Sequence, residues 1–354
     1  MILLEQMNHI GLIIEFILFA AVTWVAGIWL TRTTDAIDAK YKLGSAFGGL
    51  LILGVTTSLP EIAVVFSAAA AHHYDIVIGT LIGGIALQTV VLCILDAWMK
   101  KRDPLTFSAA SLTLVLEAAT VVLVTVAALI AIKTPAIIPH TSISLASLLI
   151  FALWFVGLWL IFRARKGLPW RSEALEANPG REHHERMVAV NHPPFKKTSI
   201  TKIFIILAIA SIATLIAGFG LQSSGSSIAS AFHINGGLFA ATFIAFAGAL
   251  PNISTGISSI NIGDYKLAMS DIFGGNAIMP ALFIFCDIIA GHAVLTSAST
   301  VDVWFAALGV LLTSIYIIGL IVRPRRLYFR MGIDSLAVVV LYIVGIVALT
   351  LSGH

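Results

Sequence analysis

The sequence predicts an all-α polytopic membrane protein: ten transmembrane helices arranged as two inverted five-helix repeats. Three observations predict it. Of the 354 residues, 59% are hydrophobic and only 11% are charged, where a soluble domain carries roughly a quarter charged residues. Ten apolar stretches are each long enough to cross a ~30 Å hydrocarbon core. A proline-interrupted helix followed by a glycine-rich one occurs twice, 191 residues apart.

The spans fall at 9–30, 43–71, 75–98, 107–132, 142–163, 200–221, 235–260, 266–290, 301–321 and 333–351. The opening "MILLEQMNHIGLIIEF" has no basic leader and no small-residue cleavage site, so the first span reads as a retained helix. Span 43–71 is longer than a bilayer requires and is expected to tilt or project beyond the hydrocarbon. Residues 1–163 form the first repeat, 164–199 a linker and 200–354 the second repeat. The linker is the one long polar segment. Its His183, His184 and His192 offer metal ligands, but acidic and basic residues interleave around them as in a solvated connector. Cys93 and Cys286 lie inside apolar runs and imply no disulfide framework.

Orientation follows from the basic residues. Twenty of the 21 Lys and Arg lie in the loops after spans 1, 3, 5, 7 and 9, and Lys133 alone lies on the other side. The expected protein sits in the plasma (inner) membrane with both termini outside and the central loop cytoplasmic. Because the basic residues lie in short loops and the net charge is only +3, a nucleic-acid partner is not expected. Inorganic cations and the lipid bilayer are the expected partners, and the oligomeric state is left open.

The repeat centres on "GVTTSLPEIAVVFSAA" (54–69) and "AFAGALPNISTGISSI" (245–260). Aligned without a gap, Leu59, Pro60, Ile62, Ser67, Tyr74, Gly83, Gly84, Ala86 and Asp96 fall on Leu250, Pro251, Ile253, Ser258, Tyr265, Gly274, Gly275, Ala277 and Asp287. With five spans per half, the two copies enter the membrane from opposite sides. That is how inverted-repeat transporters are built, with a site at the midplane where interrupted helices meet.

Each proline supplies no N–H to the carbonyl four residues earlier, Thr56 in the first half and Ala247 in the second, so each helix frees a carbonyl and kinks. Thr57, Ser58 and Glu61 cluster over the first break at helical spacing. Hydroxyls, freed carbonyls and a carboxylate make a set of hard oxygens suited to Na⁺, Ca²⁺ or a proton. The next helix of each half begins with small residues, "GTLIGG" and "SDIFGG", which let helices approach closely. Gln88, Asn276 and the more peripheral Asp271 follow. An ionisable residue inside a span is functional by default, which singles out Glu61. Glu117 also lies in a span and is a candidate for a proton path. Glu15, near the outer end of span 1, is expected to reach the interface.

"TTSLPE" with its glycine-rich second helix, repeated as "GALPN" with "SDIFGGN", resembles the two α-repeats of the cation/calcium exchanger superfamily. The resemblance implies an alternating-access antiporter, exchanging Ca²⁺ or another cation against Na⁺ or H⁺ at a midplane site centred on Glu61. Thr57 and Ser58 would line the site, with the carbonyl of Thr56 and with Gln88 where many members carry Asn or Asp. In the second half Asn252 stands where a second glutamate is expected, and Gly248 and Ala249 replace the hydroxyl pair. Met279 stands where an acid often coordinates, and Gly84 and Gly275 where serines are frequent. Asn252, Gly248, Asn276 and Asp271 complete the candidate cation set. No cofactor is called for beyond the transported cation.

One central carboxylate leaves a divalent ion net positive in a low dielectric, which is costly. Two further readings are therefore a monovalent cation/proton antiporter without calcium transport and a transport-silent sensor or partner subunit. An enzyme is not expected: no HExxH or GxSxG occurs, and Asp96 and Asp287 fall at opposite ends of the membrane.

Overall fold

The computed structural model describes residues 2–41, 54–99, 103–132, 138, 141–165 and 199–351. In chain order the long helices are α1 (Ile2–Tyr41), α2 (Gly54–Thr57 and Leu59–Ala70), α3 (Tyr74–Trp98), α4 (Leu112–Ala131) and α5 (Leu145–Arg165). The second half gives α6 (Ile200–Ala231), α7 (Gly236–Gly248 and Leu250–Ile262), α8 (Tyr265–Ala290), α9 (Thr300–Val322) and α10 (Ile333–Leu351). Among the described residues, eight helices are long and apolar enough to cross a membrane, and α7, bent by 42° at its break, makes a ninth. The remaining predicted span, 43–71, ends in α2; its first part, 43–53, and the linker histidines lie outside the described residues. The fold is the ten-helix inverted repeat that the sequence predicts.

Helices α1 and α6 extend beyond their predicted apolar limits. In α6 the polar tail stays helical because hydroxyls return to carbonyls of the preceding turn: Ser224 to Gly220 at 2.6 Å, and Ser226 and Ser227 to Ser223 at 3.0 and 2.9 Å. The turn closing α2 and the turn closing α7 match in conformation. His72 (φ 61°) and Gly263 (φ 88°), equivalent in the repeat, both take the left-handed conformation, and an equivalent tyrosine opens the next helix. One feature left no mark in the sequence pattern. Helix α3 opens to a π-helical turn at Gly79–Gly83, and it packs on a second such turn at Ala240–Ile244 of α7. The approach is close enough that a Cβ on Gly79 would stand 2.6 Å from the Gly237 carbonyl.

The two halves interleave. Helices α9 and α10 pack on α3 of the first half, while α4 and α5 pack on α8 of the second. Two glycines make the same crossed contact around the kinks. A Cβ on Gly27 of α1 would lie 2.6 Å from Pro251 Cβ, and one on Gly218 of α6 would lie 2.7 Å from the Pro60 carbonyl. These glycines are repeat equivalents, so each half's first helix seats on the other half's break. Small residues at such crossings let backbones pack, which is the main attraction available between helices in lipid.

Asp96 and Asp287, also repeat equivalents, sit at the ends of α3 and α8 and are fully buried. Asp96 accepts from Leu105 N at 2.8 Å and from Gly332 N, at the start of α10, at 2.7 Å. Asp287 accepts from Val294 N at 2.8 Å and from Ser144 N, at the start of α5, at 3.0 Å. Each carboxylate thus ties the loop behind its own helix to the fifth helix of the other half. Neither serves the other as a partner, in keeping with their predicted separation.

Candidate functional site

The site forms where α2 breaks. Pro60 occupies the first turn of the Leu59–Ala70 segment, a place where a missing N–H is harmless. Ser58 at the break has φ −88° and ψ 4°, outside the helical range. Glu61 therefore stands in a helix's first turn, where the backbone dipole favours negative charge. Its side chain is 1% exposed.

Glu61 Oε1 accepts from Gln88 Nε2 at 3.4 Å. Its Oε2 is buried with no hydrogen-bond partner among the described residues. Leaving such an oxygen unsatisfied costs roughly 1–3 kcal/mol, and more when it is charged, so the atom marks where a ligand would be welcome. Gly248 makes room for this carboxylate: a Cβ there would fall 2.9 Å from Glu61 Cδ and Oε1.

Thr57 crosses to the other half. Its hydroxyl donates to Asp271 Oδ1 at 3.0 Å and lies 3.3 Å from the Gly54 carbonyl. Thr57 stands one turn before Glu61, so this bond brings Asp271 to the same break. The sequence alone put Asp271 at the periphery, several residues from the end of its span. It reaches the break because α8 packs directly on the Gly54–Thr57 segment.

Ser58 faces Gly275, whose missing Cβ would stand 3.2 Å from Ser58 Oγ and 4.0 Å from Gln88 Oε1. Gln88 Oε1 is itself buried without a partner. Asn252, the repeat equivalent of Glu61, is 1% exposed, and neither amide atom has a partner among the described residues. Thr56 lies on the same turn as Thr57, its carbonyl facing the position where Pro60 has no N–H.

Asn276 is fully buried. It donates to Thr89 Oγ1 at 3.5 Å, and Thr89 in turn lies 3.4 Å from Thr313 Oγ1. Its Oδ1 is left unbonded. Thr89 and Thr313 were not singled out by the sequence, because lone hydroxyls in apolar spans usually bond back along their own helix, as Thr89 also does to Ile85. Glu117 is buried and lines a cavity of about 30 Å³ that it shares with Gly54, Thr120 and Gly274.

Glu61, Thr57, Ser58, Gln88, Gly248 and Asp271 are thus brought together, with Gly275 closing one wall. The donors are carboxylate, hydroxyl, amide and carbonyl oxygens. Among the described residues no cluster of three or more His, Cys, Asp or Glu is arranged to hold a resident metal.

Two broken helices facing each other across inverted repeats define a membrane transport protein rather than an enzyme. Both halves, residues 11–164 and 202–351, match the family described as sodium/calcium exchanger protein, and the chain belongs to that family of cation exchangers. It is similar in fold to the sodium-calcium exchanger NCX_Mj soaked with 2.5 mM Na⁺ and 0.1 mM Ca²⁺, at 16% identity and a TM-score of 0.60, over 96% of this chain and 99% of that one. It is likewise similar to the H⁺/Ca²⁺ exchanger CAX, at 12% identity and a TM-score of 0.66, over 96% of this chain and 82% of that one. No curated protein matches the chain in sequence.

Proposed function

We propose that the chain is an alternating-access antiporter that exchanges Ca²⁺ or a similar divalent cation against Na⁺ or H⁺ at a site centred on Glu61. The observation that carries this reading is the Thr57–Asp271 bond of 3.0 Å. It draws a second carboxylate, from the opposite half, to the same break as Glu61. Two carboxylates balance the charge of a divalent cation, which the one central carboxylate of Glu61 does not. Thr57, Ser58, Gln88 and Asn252, with the carbonyl of Thr56, supply neutral oxygens, and the absence of a side chain at Gly248 leaves room for the Glu61 carboxylate. Asn276, whose Oδ1 has no partner among the described residues, is a further neutral candidate.

The same charge argument gives exchange rather than leak. Two carboxylates at one break in a low dielectric repel, and moving them uncompensated across the barrier is unfavourable. One divalent cation, or Na⁺ or protons in its stead, relieves the repulsion, so the site changes sides only when loaded. The positive-inside distribution supports an inner-membrane protein with external termini and a cytoplasmic 164–199 loop.

The test is flux in proteoliposomes under imposed Ca²⁺, Na⁺ and H⁺ gradients. Wild-type protein is expected to move Ca²⁺ against Na⁺ or H⁺, Glu61→Gln to abolish exchange, and Asp271→Asn to lower Ca²⁺ exchange at least about tenfold, or ~1.4 kcal/mol. Flux indifferent to Glu61→Gln would sink the site. One observation favours a second reading: Asn252 is neutral where the first half has Glu61. Monovalent cation/proton exchange, unaffected by Asp271→Asn and without Ca²⁺ movement, would select it. No ion flux of any kind would leave a transport-silent partner subunit.

A further inference from the structure

We propose that the groove between α1 and α6 is a binding site for an anionic phospholipid, with one acyl chain in the groove and the phosphate at Arg32 and Lys202. The groove encloses about 590 Å³ and is lined along α1 by Leu18, Val22, Val25 and Trp29 and along α6 by Ile206 and Ile209. That volume lies within the ~300–1,000 Å³ range of sites that hold a whole small ligand.

Its length and polarity identify the occupant. From Leu18 to Trp29 the groove follows twelve residues of helix, about 17 Å at a rise of 1.5 Å per residue. One leaflet of a bilayer contributes about 15 Å of hydrocarbon. The groove therefore runs the depth of a single leaflet, as one acyl chain does. At one end the chemistry changes. Trp29 is a residue type that settles at the membrane interface, and the Arg32 guanidinium lies 5.8 Å from its ring. One turn before Ile206 on α6 comes Lys202, exposed like Arg32. The two cations stand at the same end of the groove, because Ile203 packs against Ala36 and Ile37 beyond Arg32. An apolar channel one leaflet deep, with two exposed cations at its headgroup end, is complementary to an anionic lipid. A second copy of the chain would have to set its own surface against this positive rim.

The occupant would not be passive. The same two helices carry Gly27 and Gly218, which seat on Pro251 and on Pro60. A lipid lodged between them bears on both breaks at once.

Native mass spectrometry of the full chain, with its thermal unfolding in detergent supplemented by phosphatidylglycerol or phosphatidylcholine, tests this without any ion flux. The wild-type chain is expected to retain phosphatidylglycerol after delipidation and to be stabilised by it more than by phosphatidylcholine. Arg32→Gln with Lys202→Gln should lower that retention at least about tenfold, and Arg32→Lys with Lys202→Arg should keep it. Ala21 and Ala213 also line the groove, and Ala21→Phe with Ala213→Phe, which fills it without touching charge, should also displace the lipid. Equal retention of the two lipids, or retention unchanged in the glutamine variant, overturns the proposal. So does a dimer that the phenylalanine variant splits with no change in bound lipid, since the groove would then be covered by a second copy. Folding of each variant is checked by its unfolding transition in detergent alone.

Discussion

Gly248 and Glu61 meet across the two halves of the chain. Glu61 keeps its carboxylate in the cleft because nothing projects from Gly248, where a Cβ would stand 2.9 Å from the carboxyl carbon. Gly248→Ala is therefore expected to lower exchange at least about tenfold, a displacement worth ~1.4 kcal/mol or more. It should shift thermal unfolding little, because alanine suits a helix better than glycine. Equal flux in wild type and variant would show that the carboxylate does not work from this place. The individual candidates were legible in the sequence for a simple reason: an acid behind a proline inside an apolar span has few structural explanations. Their pairings were not. Thr57 meets Asp271 and Asn276 meets Thr89 across 214 and 187 residues, and such contacts depend on where helices cross, which periodicity does not encode.

At the scale of elements, the breaks in α2 and α7 are each held by a helix from the opposite half. Substituting Gly218 by alanine drives a methyl group into Ala63 and the Pro60 carbonyl; substituting Gly27 drives one into Pro251. Overpacking of this kind costs typically ~1–3 kcal/mol, so each variant should unfold at least ~3 °C lower. A variant as stable as the wild type would mean that these helices are not seated on the kinks. The helices themselves were legible from hydropathy, and the proline breaks from sequence. The π-helical turns at Gly79–Gly83 and Ala240–Ile244 were not, because the runs around them are apolar on all sides and offer no face whose shift could be read. The lengths of α1 and α6 were also underestimated, since hydropathy marks the hydrocarbon and not the helix.

At the scale of the whole molecule, the crossed packing makes each half depend on the other. The chain ending at residue 163 and the chain beginning at residue 200, expressed separately, are expected to be degraded, and co-expression should recover a complex that purifies through a tag on either. Independent stability of one half would contradict the packing of α9 and α10 on α3 and of α4 and α5 on α8. The two buried aspartates make the dependence quantitative. Asp96→Ala and Asp287→Ala each remove two hydrogen bonds to an acceptor that is charged when ionised, worth ~1.5–3 kcal/mol apiece. Unfolding should fall by at least ~5 °C in both variants and by similar amounts. A large effect from one and none from the other would break the equivalence of the halves.

That equivalence does not involve the linker. Asp96 holds the start of α10, and Asp287 holds the start of α5. In a dimer of two five-helix chains inserted in opposite senses, these would be a single isologous contact seen from its two sides. The aspartate pair is thus the joint by which two separate polypeptides of mirrored insertion could recognise each other, and fusing them into one chain would leave every such contact in place.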